Sequence, residues 1–158
     1  MAQTMFERYG GLLTGHTFVG HTAGCAAGVA VQRIVERERL VERVAADSPG
    51  LFARLNETLG QHPNVGDIRG RGFFAGIELV ADRESKAPFD PALAVFGRIR
   101  DQAFANGLIC YPAGGNVDGK RGDQVILAPP YNASAAELDE MVELLAKSVR
   151  QVCAALPG

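Results

Sequence analysis

Apolar positions recur at helical spacing in four stretches of the chain and at alternating spacing in others. Ala26, Ala27, Val29, Ala30, Val31, Ile34 and Val35 leave little room for a polar face. That pattern predicts a buried helix that gains an exposed side after Gln32 and continues through the charged residues 33–43. Thr22 is placed to cap it, since a threonine hydroxyl accepts an orphan backbone N–H. The preceding residues 9–24, rich in Gly, Thr and His, read as a loop. Asp47-Ser48-Pro49 marks a break or a new start, after which Leu51, Phe52, Leu55 and Leu59 fall at helical spacing until Gly60 and Pro63.

The middle of the chain changes period. Val65, Gly66, Asp67, Ile68 and Arg69 read as a short strand, and Gly70-Arg71-Gly72 as its turn. Residues 73–80 alternate, with Phe73, Ala75, Ile77 and Leu79 on one side, and pair with the preceding strand. Residues 81–88 are polar and loop-like. Asp90-Pro91 opens a helix, with the carboxylate as cap and proline at its first position. Leu93, Phe96, Ile99 and Phe104 share a face of that helix, and Asn106-Gly107 stops it. A short strand follows at 108–111, a Gly-rich loop of twelve residues at 112–123, and a second strand at 124–128, ended by Pro129-Pro130. A loop of that length is uncommon without a task. Ser134 and Glu137 form a capping box for a last helix carrying Leu138, Met141, Leu145, Val149 and Val152.

The second half thus runs helix, two strands, helix, two strands, helix, an α/β (α+β) arrangement with a small sheet covered by helices. The apolar helix near the start needs a larger body to bury it. The expected division is residues 1–42 as a loop and connecting helix, and 43–158 as a compact domain. With 158 residues, 47% hydrophobic and 22% charged, the chain is globular rather than disordered. A net charge of −2 argues against a general nucleic-acid binder. No apolar run is long enough to span a membrane, and the first residues lack the order of a signal peptide. Cys25, Cys110 and Cys153 are widely spaced and odd in number, so the expectation is a reduced, cytoplasmic chain without disulfides or a metal site.

Local chemistry is sparse. His16 and His21 flank a glycine turn without nearby acids, which suits local hydrogen bonding rather than a metal. The segment Gly70–Gly76 lies between strands, not before a helix, and so is no dinucleotide loop. Arg121-Gly122-Asp123 and the glycosylation-like sites at Asn56 and Asn132 read as chance matches. A Gly-rich turn with hydroxyls before a helix, as at residues 15–22, can hold an anion, although capping and a tight turn explain the same residues. The three lysines, Lys86, Lys120 and Lys147, all fall on polar segments. None has the desolvated setting that an amine nucleophile needs.

The order of these pieces is more specific than any one of them. Gly15-His16-Thr17-Phe18-Val19-Gly20-His21-Thr22, followed by Cys25-Ala26-Ala27-Gly28-Val29-Ala30-Val31, resembles the loop and helix of class III aminotransferases. So do the segments at 65–72, 76–79, 107–110, 126–130 and 137–140. These are pyridoxal-phosphate enzymes of fold type I. The resemblance implies the carboxyl-terminal small domain of such a fold, preceded by a loop and helix of the large domain. It implies a family member about three times longer, whose cofactor-carrying lysine lies upstream, so that no catalytic residue is expected among these 158. The implied reaction is transfer of an amino group from an amine or ω-amino acid to a 2-oxo acid, in a homodimer, with pyridoxal 5'-phosphate as cofactor. The alternative is a folded, non-catalytic remnant or assembly module.

Few roles carry over residue by residue. Thr17 matches a threonine that reaches the partner subunit's cofactor phosphate, and His16 and Phe18 flank it. Tyr111 stands where many relatives place an arginine for the substrate carboxylate, and Ile126 where others do. With both arginines absent, Arg121 in the Gly-rich loop is the remaining cationic candidate for substrate binding.

Overall fold

The computed structural model describes residues 2–11, 15 and 17–157. It divides into two compact units, Met1–Arg39 and Leu40–Gly158.

The first unit holds helix α1 (Ala2–Tyr9), a turn at 17–20 and helix α2 (Thr22–Arg37). No periodic signal had marked α1, which is short and exposes Phe6 and Tyr9. The start of α2 corrects the expected cap. His21, not Thr22, holds the capping position, and its Nδ1 accepts the Gly24 N–H at 3.1 Å. Thr22 is already the first helical residue. No residue of α2 is buried, so the expected buried helix is exposed in this chain. Nor does it run through the charged stretch. It ends at Arg37, and Arg39 takes a positive φ of 50° before the next helix begins.

The second unit opens with α3 (Leu40–Leu59), which passes straight through the expected break at Pro49. A proline inside a helix removes one N–H and leaves a carbonyl four residues back without its donor, at a cost of about 3 kcal/mol. That carbonyl is Ala45 O, and the Ser48 hydroxyl donates to it at 3.4 Å. The helix also has a strong reason to continue. Leu40, Val44, Leu51, Leu55 and Leu59 form one buried stripe across the proline.

Four strands follow in pairs: β1 (Val65–Arg71), β2 (Phe74–Leu79), β3 (Tyr111–Gly114) and β4 (Asp123–Leu127). They form one antiparallel sheet in the order β1-β2-β4-β3. The first hairpin turns at Gly72-Phe73 rather than at 70–72. Gly70 stays in the ladder opposite Ala75, where a Cβ would fall 2.0 Å from the Phe74 carbonyl oxygen. Gly72 takes φ +59° at the turn itself. The second hairpin is displaced too. Its first strand lies at 111–114, not 108–111, so the irregular loop shrinks to residues 115–122. Tyr111 through Gly114 pair residue by residue with Ile126 through Asp123, which absorbs part of the apparent loop.

Between the hairpins, Asp90 caps only a short 3-10 turn (Pro91–Leu93), its carboxylate accepting the Ala92 N–H. Ala94 then takes φ 47°, and α4 (Val95–Ala105) starts afresh. Its buried stripe is Val95, Ile99 and Ala103; of the expected Leu93, Phe96, Ile99 and Phe104, Ile99 is buried, Leu93 and Phe96 are partly covered, and Phe104 is exposed. The reason is the reset at Ala94, which rotates the helix relative to a register counted from Asp90. Asn106 and Gly107 end it as expected. The last helix, α5 (Ala135–Ala154), carries the complete capping box of Ser134 and Glu137.

The three helices of this unit cover one face of the sheet. Ala75, Ile77 and Leu79 of β2, with Val125 and Leu127 of β4, meet Leu55 and Leu59 of α3, Val95 and Ile99 of α4, and Leu145 and Val149 of α5 in a single core. Alternation puts the intervening residues on the opposite, uncovered face. Arg69 lies there, bridging Asp67 at 2.8 Å and Glu78 at 2.7 Å.

Candidate functional site

Three places hold the residues with chemical potential, one in the first unit and two in the second. The first is the turn before α2. Thr17 and Phe18 lie on it and are exposed, while His16 lies outside the described residues. Phe18 stacks edge-on against His21, with ring centroids 6.1 Å apart, and Gly20 supplies the positive φ that the turn needs. The His21 ring thus meets Phe18 edge-on and accepts the Gly24 N–H at Nδ1.

The second place is the uncovered sheet face. Tyr111 is the first residue of the edge strand β3 and is 67% exposed. Its cross-strand partner is Ile126, which pairs in turn with Gly76, and Gly76 with Arg69. Directly opposite residues share a face. The row therefore runs from a phenol through an aliphatic side chain and a bare glycine to a guanidinium already held by two carboxylates.

The third place is the hairpin loop between β3 and β4. Gly115 N–H donates to Gly122 O at 2.8 Å, Val117 N–H to Arg121 O at 3.0 Å and Gly119 N–H to Gly115 O at 2.9 Å. Asp118 organises the tip. Its carboxylate accepts the N–H groups of Lys120 and Arg121, and the Arg121 Nε at 2.7 Å. These donors hold the Asp118 carboxyl well below the ordinary range, at about 2, the backbone of Arg121 contributing most. Arg121 is exposed, and its ion pair uses Nε. A guanidinium bound through Nε still has its Nη donors for a second carboxylate. The loop is thus an ordered, hydrogen-bonded tip rather than a flexible arm.

Asp118 was legible but unread. An Asp-Gly pair in a glycine-rich stretch is a turn signal, because the side chain accepts backbone N–H groups two and three residues on. Asp123 was not legible. It is 4% exposed, and its carboxylate accepts the Phe96 N–H, 27 residues away, at 2.8 Å. Burial pushes its pKa up, and the Phe96 bond partly offsets this.

Of the lysines, Lys120 stands in the hairpin loop beside Arg121, with its N–H bonded to Asp118. Lys86, Lys120 and Lys147 are exposed, and Lys86 Nζ donates to Gly66 O at 2.6 Å. Cys110 and Cys153 are half-buried thiols pushed up to about 11 by burial, which makes them poor nucleophiles near neutrality. Among the described residues, no His, Cys, Asp and Glu cluster has metal-site geometry, and no helix is long and apolar enough to cross a membrane.

Comparison with known proteins gives this arrangement a context. The family profile for class-III aminotransferases matches residues 3–149. An uncharacterised aminotransferase of Schizosaccharomyces pombe is 42% identical over 154 residues, covering 97% of this chain and 34% of that protein. A diaminobutyrate–2-oxoglutarate transaminase of Halomonas elongata is 35% identical over 148 residues, covering 94% of this chain and 30% of its own length. Among solved structures, a transaminase from an ancestral-reconstruction study superposes with a TM-score of 0.82 at 34% identity, over 98% of this chain and 33% of its own. A PMP-bound aminotransferase of Vibrio fluvialis superposes with a TM-score of 0.77 at 32% identity, over 98% and 32%. The chain spans about a third of the length of the relatives it matches. It belongs to the class III aminotransferase family.

Proposed function

We propose that this chain is the substrate-side, carboxyl-terminal portion of a pyridoxal-phosphate-dependent enzyme that transfers an amino group from an amine or ω-amino acid to a 2-oxo acid. The observation that carries the reading is the likeness to the PMP-bound Vibrio fluvialis aminotransferase across 98% of this chain. The proposed assembly is a homodimer, in keeping with an α2 that buries none of its residues in one chain. The proposed compartment is the cytoplasm, in keeping with three free cysteines.

Among the described residues, Thr17 and Phe18 of the first unit and the three lysines of the second are all exposed, so none of them is enclosed as a cofactor-holding group would be. The family's cofactor supplies the electron sink for amino transfer when bound. What this chain contributes is recognition. Arg121, oriented by Asp118, is the proposed partner of the substrate carboxylate, because a planar guanidinium matches two carboxylate oxygens. Tyr111 and Ile126 offer the less polar part of a substrate a phenol and an aliphatic surface. Thr17, with His16 and Phe18, is the proposed contribution to the cofactor phosphate of a partner subunit.

The exposure of all three lysines also supports a second reading, in which the chain alone is a non-catalytic assembly module. One experiment separates the two. The chain is joined behind the lysine-bearing upstream two thirds of a related aminotransferase and assayed with amines and 2-oxo acids. Amino transfer supports the enzyme reading. A folded, dimeric and inactive product supports the module.

A further inference from the structure

Asp123 sits at the base of the β3–β4 hairpin in a setting that no local rule of sequence explains. Its neighbours across the ladder are Leu79 of β2 and Gly114 of β3. The first turn of α4 lies against it, and that turn has a defect. The residue at its capping position, Ala94, is left-handed and offers no side-chain acceptor. A helix start leaves several N–H groups without partners. Asp123 Oδ1 takes one of them, Phe96 N–H, at 2.8 Å.

The same Phe96 closes the contact from the other side. Its ring lies over Gly114, where a Cβ would meet the ring at 2.7 Å. Phe96 therefore grips both strands of the hairpin, Asp123 through its backbone and Gly114 through its ring. One residue beyond each lies the first bond of the loop, Gly115 N–H to Gly122 O. From there the ordered tip leads to Asp118 and Arg121.

We infer that Asp123 is a positioning residue: it caps α4 from outside the helix and so locks the base of the hairpin that carries Arg121. A carboxylate suits the task because the helix start carries partial positive charge. Burying an acid is costly unless it is hydrogen-bonded, and the Phe96 N–H supplies such a bond to Asp123. The consequence for substrate binding rests on the proposed role of Arg121. The lock itself does not, and it is read without any substrate.

The test is amide hydrogen exchange by NMR on the full 158-residue chain. In Asp123→Ala, the amides of Phe96, Gly115 and Gly119 are expected to exchange roughly tenfold faster or more, as for a local opening. Leu145 and Val149 in α5 are expected to keep their protection. Asp123→Asn, which retains an oxygen acceptor, restores most of the protection. Gly114→Ala strikes the same lock from the other strand, and is expected to loosen the same amides even if Asp123→Ala does not fold. Unchanged hairpin amides in either folded variant would overturn the inference. So would loss of protection in α5 to the same extent, which marks general destabilisation. If the lock behaves as expected but Arg121→Ala leaves carboxylate substrates unaffected in the joined enzyme, the fault lies with the role given to Arg121.

Discussion

Tyr111 and Ile126 stand directly opposite each other across the β3–β4 ladder, on the face of the sheet that the helices leave bare. They are the two positions at which the family resemblance expects an arginine for the substrate carboxylate. Their pairing would let an arginine at either position serve the same carboxylate. Side chains from opposite residues project from nearly the same spot. In this chain that spot is uncharged, and the nearest cation along the same row, Arg69, is already bonded to Asp67 and Glu78.

Arg121→Ala is therefore expected to weaken use of the 2-oxo acid more than of an uncharged amine in the joined enzyme. Loss of a charge-assisted pair costs roughly 1.5–3 kcal/mol, or about ten- to a hundredfold in kcat/KM. Tyr111→Phe removes only a neutral hydroxyl and is expected to cost less. Steady-state kinetics with both substrate types decide it. If Arg121→Ala leaves both substrates unchanged, Arg121 is a solvated loop residue.

The 158-residue chain alone is expected to form no covalent adduct with pyridoxal phosphate at a defined site, because Lys86, Lys120 and Lys147 are exposed and an amine nucleophile needs an enclosed, desolvated setting. Borohydride reduction after titration, followed by peptide mapping, checks this. Stoichiometric labelling of a single lysine would contradict it.

His62 introduces a pH dependence of stability. Its Nδ1 accepts the Asn64 N–H at 3.1 Å, which requires an unprotonated nitrogen. Burial, with a smaller contribution from Arg150, lowers its pKa below the ordinary 6.5. A folded state that disfavours the proton is destabilised when protons are added. The contribution is complete above the unfolded value of about 6.5 and is lost as pH falls through the lower folded value. Denaturation midpoints at pH 8 and pH 5 are expected to differ more in the wild type than in His62→Gln. An equal pH dependence in the two would exclude this residue as a source.

Among the described residues, the buried core lies in the unit Leu40–Gly158. Removing residues 1–39 is expected to leave its thermal midpoint nearly unchanged and to reduce self-association, since exposed Val29, Val31 and Ile34 leave with them. Light scattering and calorimetry on the two lengths test this. A large fall in midpoint would mean that the first unit supports the second.

Much of the fold was legible because it rests on local rules. The capping box at Ser134, the stop at Asn106-Gly107 and the alternation of Ala75, Ile77 and Leu79 each follow from residues within a few positions of one another. The departures share a different cause. Pro49 looked like a break because local chemistry forbids its hydrogen bond, yet the buried stripe on both sides outweighs that loss. Residues 112–114 looked like loop because proline and glycine are poor strand formers, yet an edge strand needs only one set of partners. Of the candidate site, residue identities were visible but their anchors were not. Asp123 reaches Phe96 across 27 positions, and no periodicity reports such a contact.

The most direct measurement is amino-transfer activity of this chain joined to a lysine-bearing upstream region, compared with each part alone. Activity is expected only in the joined protein, with a homodimer as the active form and a 2-oxo acid as acceptor. A correctly folded joined dimer without amino transfer, or transfer by the 158-residue chain alone, would contradict it.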